Sequence, residues 1–144
     1  MSYIIIIAVV LFDQLSKVLT LKYLAPIKDI PIIKNVFHLT YVENRGAAFG
    51  MLQNQKVFFV VTTIIILGAI YFYVRNNKPN RFMTISLSLI VGGALGNFID
   101  RIRLGFVVDY FNFTLINFPV FNIADSAVVI GAFLVSIYII KYDL

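Results

Sequence analysis

Two aspartates, Asp109 and Asp125, stand sixteen residues apart in apolar surroundings. Asp109 follows Phe106-Val107-Val108 and precedes Tyr110-Phe111, and Asp125 closes the run Phe121-Asn122-Ile123-Ala124-Asp125. Two carboxylates in contact do not both ionise easily, so one pKa rises and the pair shares a proton. The ionised member can then take a proton from water, and the protonated member can donate to a carbonyl oxygen. That chemistry hydrolyses an amide without histidine, cysteine or metal. The spacing allows the intervening chain to fold back, but it does not by itself place the two side by side. Asp109 also reads as a solvated acid at a membrane surface. Asn122 and Asp125 also read as a helix N-cap and a first-turn acid, and a capped helix start holds a carboxylate rigidly.

Other chemistries have less to stand on. The chain has no cysteine, which removes disulfides, thiolate metal sites and cysteine nucleophiles. One histidine, His38, leaves no His-rich metal cluster, and a Ser/His/Asp triad only if His38 is its base. Ser16 and Lys17 are neighbours, and neighbours on a helix do not face each other. No spacing marks a carboxylate site for a hard cation. The predicted chemistry needs no metal and no cofactor.

Further polar groups fall inside apolar runs. Asp13 and Lys17 are four apart and share a helix face. A self-satisfied ion pair, with Gln14 and Ser16 packing helices beside it, accounts for them; so does a brace for a polar site between helices. A central Asp or Lys costs about 2.5–3.5 kcal/mol on insertion scales, so such groups persist where they pair or do chemistry. Gly92 and Gly96 have the spacing that lets helix backbones approach. Asn97, Asp100 and Arg101 follow on one face, as a packing seam ending in an interfacial ion pair. That reading leaves the amide of Asn97 unexplained.

These residues must be carried by elements suited to lipid. The chain has 144 residues, 60% hydrophobic and 13% charged, with mean hydropathy +0.92. Soluble domains are about 45–50% apolar and about 25% charged, so this excess requires lipid as solvent. Four apolar runs, at about 3–24, 57–74, 82–99 and 121–140, predict four transmembrane helices. All four prolines fall outside them. The first run holds Asp13, lacks a basic leader and continues past Lys17, which predicts a permanent anchor. The connector Arg75-Asn76-Asn77-Lys78-Pro79-Asn80-Arg81 has three cations and no acid. The positive-inside rule then puts it and both termini in the cytoplasm. Ile30 to Val42, rich in β-branched and aromatic residues, predicts a small β-sheet on the outer face. The segment from Arg101 to Val120 is aromatic-rich, as suits the headgroup level. The predicted fold class is thus an all-α membrane protein with a small extracytoplasmic sheet and a short extracytoplasmic loop, residues 1–144 forming one unit. The net charge of +5 fits the positive-inside excess, and no basic patch suggests nucleic acid.

Five blocks together resemble the lipoprotein signal peptidases (type II signal peptidases) over nearly the whole chain. They are Asp13-Gln14-Leu15-Ser16-Lys17, Asn44-Arg45-Gly46-Ala47-Ala48-Phe49-Gly50, Gly93-Ala94-Leu95-Gly96-Asn97-Phe98-Ile99-Asp100-Arg101, Val107-Val108-Asp109-Tyr110 and Phe121-Asn122-Ile123-Ala124-Asp125. Each is weak alone; in this order on a four-span plan they are specific. The resemblance implies a catalytic pair, Asp109 and Asp125. It implies that Asn44, Gly46, Asn97, Arg101 and Asn122 line the site, with Asp13, Lys17 and Asp100 in support. It further implies a β-cradle, a monomer in the bacterial cell membrane with its site toward the outer leaflet, and lipid around it. The implied substrate is a lipidated prolipoprotein signal peptide cut just before the lipid-bearing cysteine. Tyr110 stands where phenylalanine is common in that family. The loop from Asp109 to Phe121 and the C-terminal tail are short.

Two other readings compete. A proton-coupled transporter would use the acids as a relay, but would bring more spans, repeats and interrupted helices. A scaffold packed through its glycines would leave Asp109 and Asp125 dispensable.

Overall fold

The computed structural model describes residues 1–47, 51–116 and 118–142. Ala48, Phe49 and Gly50 of the second block lie outside the described residues. Among the described residues, four helices are long and apolar enough to cross a membrane: Tyr3–Leu24, Lys56–Asn77, Arg81–Arg103 and Ile123–Lys141. The first comprises an α-helix, α1 (Tyr3–Leu19), and a π-helical turn, Thr20–Leu24. Then follow β1 (Asp29–Ile33), β2 (Phe37–Asn44), α2 (Lys56–Asn77), α3 (Arg81–Arg103), β3 (Val107–Asn112), a single 3-10 turn at Thr114–Ile116, and α4 (Ile123–Tyr142).

Local chemistry sets the breaks. Lys78 ends α2 in the left-handed conformation (φ 46°), and Pro79 cannot continue it. Asn80 starts α3 by accepting the Met83 N–H at 3.0 Å. Gly105, at φ 84°, ends α3 with its N–H on the Arg101 carbonyl. Such a backbone angle suits glycine because no Cβ opposes it. Asn35, also left-handed at φ 62°, turns β1 into β2.

The three strands form one antiparallel sheet in the order β1-β2-β3. Pro31 is tolerated in β1 because that strand lies at the sheet's edge. The hairpin at Ile30 to Val42 is as expected. The third strand differs from expectation: Val107–Asn112 reads in sequence as part of an aromatic loop, yet it pairs with β2. Its first four residues are all buried, so no polar/apolar alternation marks it as a strand. Helix α3 also runs on to Arg103, past the span end expected near residue 99.

Helix α3 is the centre of the bundle, packed against α1, α2 and α4. Small residues make that possible. A Cβ on Gly92 would lie 2.8 Å from Val9 Cβ of α1, and one on Gly93 would overlap the Ala124 carbonyl of α4. One on Gly96 would lie 2.5 Å from Asp13 Oδ2 and 3.2 Å from Ala124 Cβ. The glycine seam therefore serves two neighbours at once, and brings Asp13, Asn97 and Asp125 to one level of the bundle.

Candidate active site

Helix α1 turns its apolar side chains outward and its charges inward. Ile4, Leu11, Phe12 and Leu15 are exposed, whereas Asp13 and Lys17 are 0% and 2% exposed. Lys17 Nζ lies 2.8 Å from Asp13 Oδ2, 3.0 Å from Asp100 Oδ2 and 2.9 Å from Asn97 Oδ1. An ammonium has three protons, and here each has an acceptor. Gln14 joins the same cluster, its two Nε2 protons shared among Asp13, Asp100 and the Gly96 carbonyl. The sequence assigns Gln14 only a packing role; its depth in an apolar run was the available signal. The cation that Asp100 meets is Lys17 of another helix. Arg101 instead stacks over the Phe59 ring at 4.6 Å and reaches the Gly46 carbonyl at 3.4 Å.

Both acids of this cluster hold other elements in place. Asp13 Oδ1 accepts the Ala124 N–H at 3.0 Å, tying the start of α4 to α1. Asp100 Oδ2 accepts the Val108 N–H at 3.0 Å, tying β3 to α3. The two ties act on the residues next to Asp125 and Asp109. The α1 pair therefore goes beyond self-satisfaction: it braces two other segments.

Asparagine amides bridge the rest. Asn97 Oδ1 accepts from Lys17 and from Asn122 Nδ2 at 3.1 Å, so its Nδ2 faces Asp125 Oδ1 at 2.7 Å. Asn122 caps α4 reciprocally: its Oδ1 accepts the Asp125 N–H at 2.8 Å, and Asp125 Oδ2 accepts the Asn122 N–H at 3.2 Å. The same Asn122 sends Nδ2 to Asp109 Oδ1 at 2.7 Å. Asn44, at the end of β2, donates to Asp109 Oδ2 at 2.9 Å and accepts the Gly46 N–H. Asn122 thus touches both aspartates, and the fold brings together residues from β2, α3, β3 and α4. Burial first, and then the neighbouring Asp125 carboxylate, push Asp109 up to about 7, against the amide donors Asn44 and Asn122.

A cleft of about 640 Å³ opens beside this centre. Phe59, Phe118, Phe121, Val129 and Ile130 supply apolar wall, while Asn44, Asn97, Arg101 and Asp125 supply its polar end. Asp109, 1% exposed, is not part of the wall; Asn44, which bonds it, is. The other candidates of the sequence lie elsewhere. His38 pairs with Asp29 in the β1–β2 hairpin at 2.9 Å. Ser16 bonds Tyr110 and the Asp13 carbonyl, while Lys17 points to the carboxylates, so the two do not form a pair.

Known proteins resemble this chain throughout. The signal peptidase (SPase) II family model matches residues 5–141. A lipoprotein signal peptidase of Halothermothrix orenii is 49% identical, covering 96% of this chain and 94% of its own. Another, of Caldanaerobacter subterraneus subsp. tengcongensis, is 52% identical, covering 92% and 90%. A bacterial membrane enzyme solved by the in meso method at 1.9 Å resolution superposes with a TM-score of 0.88. It is 38% identical, covering 98% of this chain and 93% of its own. With its four apolar helices and its bacterial relatives, the protein is a multi-pass cell-membrane protein, and the chain belongs to the signal peptidase II family of peptidases.

Proposed function

We propose that this protein is an aspartyl endopeptidase that removes signal peptides from diacylglyceryl-modified prolipoproteins, cutting just before the lipidated cysteine. The observation that carries the reading is the shared Asn122, bonded to Asp109 and to Asp125, the second of which stands at the polar end of an apolar cleft. A signal peptide is apolar, and its lipidated product stays in the bilayer. The enzyme must then take an apolar segment laterally and meet water at the cleft's end. About 0.8 kcal/mol per buried methylene holds an acyl chain in lipid, so the substrate arrives in two dimensions.

Asp109, held up to about 7, carries the shared proton below that pH and donates it to the scissile carbonyl oxygen. Asp125 takes a proton from water, whose oxygen bonds to the carbonyl carbon. The C–N bond then breaks as the carbonyl re-forms: the proton held by Asp125 goes to the leaving amine, and the hydroxyl proton returns to Asp109. Asn44 must swing from Asp109 for the peptide to reach it. Arg101, at the cleft's polar end, orients the peptide, and Asn97 and Asn122 orient the acids. Lys17, Asp13 and Asp100 support them, and Gly46 holds the Arg101 guanidinium. The 75–81 connector and both termini lie in the cytoplasm, which puts the sheet and the cleft's polar end toward the outer leaflet. The protein acts as a single unit and a monomer.

The direct test uses purified Asp109→Asn and Asp125→Asn on lipidated precursor. Each should cut at least about 10²–10⁴-fold more slowly while still inserting and melting cooperatively. Cleavage at the normal rate by the double variant would overturn the dyad. A second test is the pH profile. Loss of the Asp109 proton removes the acid, so cleavage should fall as pH rises through about 7. Stability follows the same sign: a carboxyl raised from 3.8 to about 7 contributes most below 3.8 and loses that contribution as pH rises through about 7.

A further inference from the structure

Tyr110 follows Asp109 on β3, and its hydroxyl serves no purpose in the chemistry above. It is 4% exposed and packs on Leu24 and Val108 beneath the sheet. A buried hydroxyl needs partners, and a phenylalanine would fill the same space without that cost. Its partners are specific. The hydroxyl lies 2.6 Å from Ser16 Oγ of α1, and Ser16 Oγ donates at 2.7 Å to the Asp13 carbonyl. With the serine's proton so used, Tyr110 is the donor to Ser16. The same oxygen accepts the Ile123 N–H of α4 at 3.4 Å. Burial pushes the phenol up to about 12, so it keeps its proton. The result is one directed chain: Ile123 N–H to Tyr110 hydroxyl, to Ser16 hydroxyl, to Asp13 carbonyl.

The ends of that chain matter. Tyr110 is one residue from Asp109, and Ile123 is two from Asp125. The backbone beside it is clipped as well, with the N–H groups of Tyr110 and Phe111 on the Phe121 carbonyl. We propose that the Tyr110 hydroxyl, with Ser16, is a positioning group that fixes the spacing of Asp109 and Asp125 by pinning β3 to α1 and to the first turn of α4. The proposal rests on the dyad reading above.

The test uses purified Tyr110→Phe, Ser16→Ala and their double variant on lipidated precursor, with Asp109→Asn alongside. Ser16→Ala removes the same bond without touching the core under the sheet, so it carries the test if Tyr110→Phe folds badly. Each single variant should lower kcat about fivefold at unchanged KM, because displaced reacting groups cost rate rather than binding. The double variant should lose less than the product of the two single losses, since the Tyr110–Ser16 bond is common to both. Carboxylates free to part repel less, so the upper pH limb should move to lower pH. A lowered melting temperature with unchanged kcat and pH limb would overturn the proposal and leave Tyr110 a structural residue. Losses that multiply in the double variant would overturn it too. An inactive Asp109→Asn beside a fully normal Tyr110→Phe sinks this inference alone. An active Asp109→Asn sinks the dyad and this inference together.

Discussion

Helices α2 and α3 are adjacent spans of nearly equal length with opposite fates. α2 has the higher mean hydropathy, 2.5 against 1.7, yet none of its residues is buried, while α3 buries nine. In water the more apolar helix would be the inner one. In lipid the hydrophobic effect does not separate helices, because acyl chains are as apolar as leucine. Close approach of backbones and polar contacts decide instead. α3 has Gly92, Gly93 and Gly96 for the first, and Asn97 and Asp100 for the second. On α2, a Cβ added to Gly68 would meet nothing within 4 Å beyond its own helix. The region that does the packing is therefore the region that holds the polar site, and the glycines that admit α1 and α4 also admit their acids.

Substitutions can break this contrast in order of size. Lys17→Met has the largest expected effect on stability. It leaves Asp13 and Asp100 buried against α3 without a cation, and removing one partner of a buried ion pair costs about 3–5 kcal/mol. Melting in detergent should show the loss, and a variant as stable as the parent would mean the cluster is not under electrostatic stress. Gly93→Ala comes next. Its methyl would overlap the Ala124 carbonyl, and overpacking costs about 1–3 kcal/mol. Because Ala124 immediately precedes Asp125, cleavage should fall with stability. The smallest effect has the opposite sign. Gly68→Ala on α2 meets open space, so it should raise stability by about 0.5–1 kcal/mol through helix propensity and leave cleavage unchanged. If both glycine variants behaved alike, inner and outer helices would not differ as described.

Much of this arrangement was legible from the chain. The four spans follow from runs of apolar residues, because lipid demands length and hydropathy and little else. The hairpin follows from β-branched residues between turn formers. The Asn122–Asp125 cap was legible because it is local: both partners sit within one turn. Strand β3 was not, since its first four residues are all buried and no alternation is left to mark it. The partner of Asp100 was also hidden. Arg101 is next to it in sequence, but Lys17 is next to it in space.

The sequence by itself determined the solvent, the number of spans and the inventory of polar groups, because each depends on composition over a short window. Tertiary structure alone decided which groups meet. Asp109 and Asp125 come to share Asn122 only because α3 lets α1 and α4 approach within a methyl's width, and because Asp13 and Asp100 fasten the residues beside them. Those contacts join residues as many as 111 apart, and no local pattern carries information over that distance.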